Sequence, residues 1–157
     1  MIIGGYNAPN PYQAKLLKLV KRLNLQEKIQ FVGPVPHGDL VKYYNASDLV
    51  VVPSLYESFG LVSLEGFATK KPVIASNIGG LASTIDNEVN GILFEPGNIK
   101  DLTQKINLLL SDTFLNQKIA NQAFMDVNKY SWDTAASQVC NVYSSLLTAS
   151  KKIKVVS

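Results

Sequence analysis

Two runs of apolar, largely β-branched residues, Leu49–Val52 and Pro72–Ala75, dominate the pattern of hydrophobic and polar positions. Continuous apolar runs of this length, bounded by turn residues, predict strands buried on both faces, as in a parallel sheet. Ile29–Val32 and Gly91–Phe94 predict two further strands, and Ile2–Gly4 reads as the tail of another. Between the strands the period changes. From Pro11 to Leu25, Tyr12, Leu16, Leu19, Val20 and Leu23 share one helical face and lysines take the other. Asp39 to Asn45 reads as a short helix, and Leu61 to Thr69 as another. The remainder is helical in pattern. Ile99–Leu110 follows an Asn98 cap, Thr113–Lys129 comes next, and Ser131 caps a third helix with Trp132, Ala136, Val139, Tyr143 and Leu147 at core spacing. Gly33-Pro34-Val35-Pro36-His37-Gly38 predicts a loop and Gly79-Gly80 a turn. Strands alternating with helices predict an α/β fold, a Rossmann-like doubly wound parallel sheet of about five strands with ligands at the carboxyl ends of the strands. Residues 1–150 are expected to form one domain and residues 151–157 a disordered basic tail.

Composition narrows the class. The net charge of +3 is mild, with lysines grouped at Lys15–Lys28 and Lys151–Lys154. Solvated helix faces account for such groups; a basic face meeting anionic lipid or an acidic partner is the alternative. The lysines are not interleaved with exposed aromatics, so no nucleic-acid partner is expected. Cys140 is the single cysteine, which excludes a disulfide framework, and its helical spacing between Val139 and Val142 predicts a partly buried structural thiol. The sequence contains no secretory signal and no apolar run of membrane-spanning length, which fits a cytoplasmic protein.

The chemistry concentrates between the two apolar runs. A loop holding Glu57, Ser58, Phe59 and Gly60 leads into the Leu61–Thr69 helix, and Glu65 lies about two turns inside it. The amides of Ser58, Phe59, Gly60, Leu61 and Val62 straddle the helix start, where intrahelical acceptors are lacking. Such a turn attracts anions through free N–H groups and the helix dipole. A carboxylate on either side of it suits a ligand with both phosphate and hydroxyl groups, which describes a sugar nucleotide. Glu57 and Glu65 do not fit a glycosidase acid–base pair: eight residues of helix separate them by roughly 12 Å, beyond the roughly 5–9.5 Å that such pairs need. A capping carboxylate at Glu57 and a solvated helix residue at Glu65 are the plain alternatives. His37, the sole histidine, sits in a Pro/Gly loop beside a helix start, where capping or exposure is commoner than catalysis. No Asp-x-Asp and no His/Cys/Asp cluster at ligand spacing occurs in the sequence, so no catalytic metal and no cofactor are expected.

Glu57-Ser58-Phe59-Gly60-Leu61-Val62-Ser63-Leu64-Glu65 resembles the Glu-x7-Glu signature of retaining, nucleotide-sugar-dependent glycosyltransferases of the two-lobed GT-B fold (glycosyl transferases group 1). The flanks agree: Phe31-Val32-Gly33, Ala46-Ser47-Asp48, Val52-Pro53-Ser54, Pro72-Val73-Ile74-Ala75-Ser76, Gly79-Gly80, Asn90-Gly91-Ile92-Leu93-Phe94 and Pro96-Gly97-Asn98. Gly33-Pro34-Val35-Pro36-His37 and the Leu55–Val62 core look most like sucrose-phosphate synthases and glycosyltransferases acting on inositol phosphate. The resemblance implies that the chain is the carboxy-terminal, donor-binding half of such a fold, and that the substrate is a UDP- or GDP-sugar. It implies that Glu65 binds the ribose hydroxyls, that Glu57 is the catalytic glutamate beside the donor sugar, and that Ser58, Phe59, Gly60, Leu61 and Val62 bind donor sugar and diphosphate. It places Val35, Pro36 and His37 near the nucleobase and lets Gly79 and Gly80 approach the cleft closely. Many relatives follow the glycine pair with Pro-Glu, whereas Leu81, Ala82 and Ser83 follow here.

The resemblance also implies parts that this sequence does not contain. An Arg and a Lys upstream of the first strand clamp the diphosphate in the family, and an amino-terminal lobe binds the acceptor. A hexosyltransferase lobe that binds nucleotide but transfers little alone is the expectation. The missing lobe would belong to the same gene or to a separate chain, and any membrane contact would run through it. The face that meets that lobe, near Pro53–Phe59 and Ile78–Ala82, is then expected to carry exposed apolar surface and to favour self-association. A non-catalytic subunit of a split glycosyltransferase and a sugar-nucleotide epimerase-like domain stay open as alternatives.

Overall fold

The computed structural model describes residues 1–4 and 11–153 of the 157-residue chain. The chain divides into two compact units, Met1–Tyr43 and Tyr44–Ser157. In the first, strands β1 (Ile2–Ile3) and β2 (Phe31–Gly33) pair in parallel, with Ile2 opposite Phe31. Helix α1 (Pro11–Arg22) lies between them in sequence. Of its predicted face only Val20 is buried; Tyr12, Leu16, Leu19 and Leu23 are exposed. Two strands of two and three residues offer this unit too little surface to cover that stripe. Helix α2 (His37–Ala46) starts right after Pro36 and crosses the boundary between the units.

The second unit holds strands β3 (Val50–Val52), β4 (Val73–Ser76) and β5 (Ile92–Phe94), all parallel and in that spatial order. The described strands thus number five and run parallel as expected, paired as two and three. Every residue of central β4 is buried. Alternate side chains of a strand point to opposite faces, and β4 feeds two cores accordingly. Val73 and Ala75 join Val52, Phe67, Leu81, Ile85 and Ala123 on one face. Ile74 joins Ile92, Phe94, Leu109 and Ile119 on the other. The helices supplying these residues are α3 (Leu61–Ala68), α4 (Gly79–Thr84), α5 (Ile99–Ser111) and α6 (Thr113–Asp126). Helices on both faces of a parallel sheet make this unit doubly wound.

Local chemistry fixes the helix starts. Asn98 accepts a hydrogen bond from the Asp101 amide at 3.0 Å, and Asp112 accepts from the Leu115 amide at 2.9 Å. Ser131 Oγ accepts from the Thr134 amide at 3.1 Å, as its predicted capping role requires. A buried polar cluster ties the loop before β5 to α6. Asn90 accepts from the Asp86 amide at 2.8 Å and donates to Asp126 Oδ2 at 3.1 Å, while Lys129 meets Asp126 Oδ1 at 2.6 Å. The Lys129 hydrogen bond holds the Asp126 carboxyl below its ordinary range, against the opposing effect of burial.

Three expectations are corrected. Gly79-Gly80 is not a free turn: it opens α4, where the lack of side chains lets it pack closely against the Glu57–Phe59 backbone. A 3₁₀ turn (Val127–Tyr130) leads to helix α7 (Trp132–Ile153), and there Trp132, Val139, Tyr143 and Leu147 are exposed, as is Ala136. Helical periodicity reports that a face is amphipathic without saying what covers it. Cys140, on the same helix, is exposed for the same reason. Of the expected basic tail, residues 154–157 lie outside the described residues, and 151–153 end α7. No helix among the described residues is long and apolar enough to cross a membrane.

Candidate functional site

The loop between β3 and α3 leaves the carboxyl edge of the three-stranded sheet, the side on which parallel α/β sheets bind ligands. Gly60 is the N-cap of α3 and adopts φ 87° and ψ 44°. A residue with a Cβ is strained in this left-handed conformation, and here the Cβ would also lie 2.7 Å from Leu81 Cδ2. Glycine therefore lets the chain turn sharply into α3 over the buried Leu81 side chain. Leu61 and Val62 occupy the first turn, where their amides have no intrahelical acceptor. Glu57 Oε1 accepts from the Gly60 amide at 3.3 Å, so the carboxylate folds over the helix start.

The loop is held from behind. The Gly80 amide donates to the Glu57 carbonyl at 3.0 Å, and Thr84 Oγ1 donates to the Phe59 carbonyl at 3.1 Å. The Phe59 ring meets the Tyr130 ring edge-on at 6.2 Å. On α3, half-buried Glu65 accepts a hydrogen bond from Tyr44 Oη at 2.6 Å. Burial first, and then that hydrogen bond, push the Tyr44 phenol above its ordinary range, so it stays protonated and donating. Ser63, in the same first turn as Val62, is fully buried, and its hydroxyl has no hydrogen-bond partner among the described residues. Around the loop, Leu55 and Tyr56 are 80% and 87% exposed, so apolar surface does flank it. The expected continuation of that surface through Ile78–Ala82 is broken, because Leu81 is fully buried and Ile78 half-buried against the core.

A glycine-opened helix start at the carboxyl edge of a doubly wound parallel sheet can take an anion, and here a carboxylate lies on either side of it. The profile described as "Glycosyl transferases group 1" matches residues 1–125. The chain belongs to this family. Among group 1 relatives, a D-inositol 3-phosphate glycosyltransferase of Corynebacterium urealyticum is 35% identical over 149 residues, covering 94% of this chain and 35% of the relative. Sucrose-phosphate synthase of Thermosynechococcus elongatus superposes with a TM-score of 0.81 at 33% identity, covering 94% of this chain and 38% of that one. HepE of Anabaena, solved in complex with UDP, superposes with a TM-score of 0.83 at 29% identity, covering 91% and 40%. The chain spans little more than a third of the curated group 1 relatives it matches, 36% and 35% of their lengths. It corresponds to one lobe of these GT-B enzymes.

Within this group 1 lobe, Glu57, Ser58, Phe59, Gly60, Leu61, Val62 and Glu65 fall on one continuous loop–helix segment, and Gly79 and Gly80 pack directly behind it. Val35 and Pro36 lie in the β2–α2 loop of the first unit, and His37 opens α2. Two residues of the site escaped the sequence pattern. Tyr44 and Thr84 reach Glu65 and Phe59 across 21 and 25 positions, a separation over which no spacing rule operates.

Proposed function

We propose that the chain is the donor-binding half of a retaining hexosyltransferase. The α3 N-terminus takes the diphosphate of a nucleotide sugar through the amides of Leu61 and Val62 and the helix dipole, with Gly60 allowing the close approach. Ser58 and Phe59 contribute backbone contacts to the donor sugar. Glu65 accepts from the ribose hydroxyls, and Glu57 stands beside the donor sugar. In the transfer step the bond from the anomeric carbon to the diphosphate oxygen breaks. The acceptor oxygen forms the new bond on the same face, and its proton passes to the departing phosphate. No enzyme nucleophile is needed, in keeping with a loop that holds no Ser–His–Asp set. The observation that carries this reading is the left-handed Gly60 N-cap with Glu57 folded over it and Glu65 further along the same helix. UDP is the favoured nucleotide, because structural neighbours are named as UDP and UDP-glucose complexes. An acceptor-binding lobe completes the enzyme, and the lobe by itself binds nucleotide while transferring little sugar.

Calorimetric titration of the 157-residue chain with UDP, GDP and UMP tests the reading. UDP is expected to bind more tightly than UMP, because the second phosphate reaches the helix terminus. Glu65→Ala is expected to weaken UDP binding by about 1–3 kcal/mol, the range for hydrogen bonds to a charged group. Equal affinity of the variant and the parent would remove Glu65 from the site. A labelled-donor assay beside a two-lobed version separates binding from transfer. Equal turnover by the two would show that the single lobe suffices.

A further inference from the structure

We propose that Tyr44 is a positioning residue for nucleotide recognition, its phenol fixing the Glu65 carboxylate in the orientation that receives the ribose hydroxyls. The proposal rests on the assignment of Glu65 to the ribose.

The contact joins two helices. Tyr44 stands near the end of α2 and Glu65 in the second half of α3. At 2.6 Å the Oη–Oε2 distance is that of a charge-assisted O–H···O⁻ bond. The tyrosine end is itself held. Ser47 donates to the Tyr44 carbonyl through both its hydroxyl at 2.8 Å and its amide at 3.0 Å, and Lys71 Nζ donates to the Asn45 carbonyl at 3.0 Å. The phenol therefore projects from an anchored helix end onto a carboxylate carried by a helix that packs on the core.

A glutamate side chain has three rotatable bonds, and a ligand that must order them binds less tightly. A rigid aromatic donor orders the carboxylate in advance. The bond from the phenol does not by itself exclude the ribose hydroxyls, since an ionised carboxylate accepts at about four lone-pair positions. Tyrosine suits the task better than lysine or arginine would. It donates one directed hydrogen bond without adding a positive charge, and its shifted phenol keeps its proton across the working pH range.

The test compares UDP with 2′,3′-dideoxyuridine diphosphate, which lacks both ribose hydroxyls, on the parent chain, Tyr44→Phe, Glu65→Ala and the double variant. Thermal unfolding verifies that each is folded; Tyr44→Phe removes one oxygen from a half-buried ring. In the parent, UDP is expected to bind more tightly than the dideoxy analogue. Tyr44→Phe is expected to weaken UDP binding about 3- to 10-fold, a hydrogen bond's usual contribution, and to leave the analogue unchanged. In the Glu65→Ala background, Tyr44→Phe should have no further effect. If Tyr44→Phe weakens both ligands alike, or neither, the positioning role is overturned while the Glu65 assignment stands. If the parent binds both ligands equally, the Glu65 assignment fails and the proposal falls with it.

Discussion

Phe67→Ala is expected to destabilise the second unit by about 3–5 kcal/mol, the usual loss for a buried phenylalanine in a close-packed core. Phe67 is fully buried, and the core cluster it belongs to draws on four other elements: Val52 of β3, Val73 and Ala75 of β4, Leu81 of α4 and Ala123 of α6. Because these residues belong to separate elements held by their own hydrogen bonds, they cannot collapse together into the space left behind. The residual cavity therefore adds to the lost transfer energy. The loss would be a large part of a stability that is typically about 5–15 kcal/mol. Urea unfolding followed by circular dichroism measures it as a shift in midpoint. The folded fraction should still bind nucleotide, since Phe67 packs inward and Glu65, two residues earlier, sits on another side of α3. A loss below about 1 kcal/mol, the scale of a surface substitution, would mean that α3 is not seated on the sheet as described.

That residue also illustrates what the sequence could and could not reveal. Strand β4 is legible because both its faces are buried, and β3, half-buried at Val50 and Val51, carries the same uninterrupted apolar run between turn residues. The Glu57–Glu65 segment is legible because a strand, a glycine turn and a helix are contiguous, so one short stretch carries the whole local geometry. Structure built from distant contacts is not. Nothing in the local pattern announces that Thr84 braces Phe59 or that Tyr44 meets Glu65. Nor does a period of 3.6 reveal whether an apolar face has a partner, and so α7 reads as a core helix while its Trp132 is 91% exposed. The glycine pair is the opposite case. Local statistics treat Gly79-Gly80 as a breaker, whereas packing uses the absence of side chains to start a helix against a backbone.

Gly79→Ala should accordingly damage both stability and ligand binding. Gly79 has φ +40°, and a Cβ built there would collide with the Glu57 carbonyl oxygen. Two effects combine: a left-handed conformation for a residue with a Cβ, worth roughly 1–2 kcal/mol, and overpacking of about 1–3 kcal/mol. A total of about 2–5 kcal/mol follows. The obstacle is backbone, which cannot rotate away as a flexible side chain could. Relief must come from displacing the Glu57 loop, and this would break the hydrogen bond that the Gly80 N–H donates to the same carbonyl and carry Glu57 off the α3 start. Gly97→Ala is the matched control. Gly97 also has positive φ, +78°, but a Cβ there meets nothing within 4 Å. It should lose only the conformational part, about 1–2 kcal/mol, with nucleotide affinity unchanged. Chemical denaturation and UDP titration of the two variants separate strain from displacement. If Gly79→Ala and Gly97→Ala lose the same stability and both retain parental affinity, the close seating of the Glu57 loop on α4 does not shape the site.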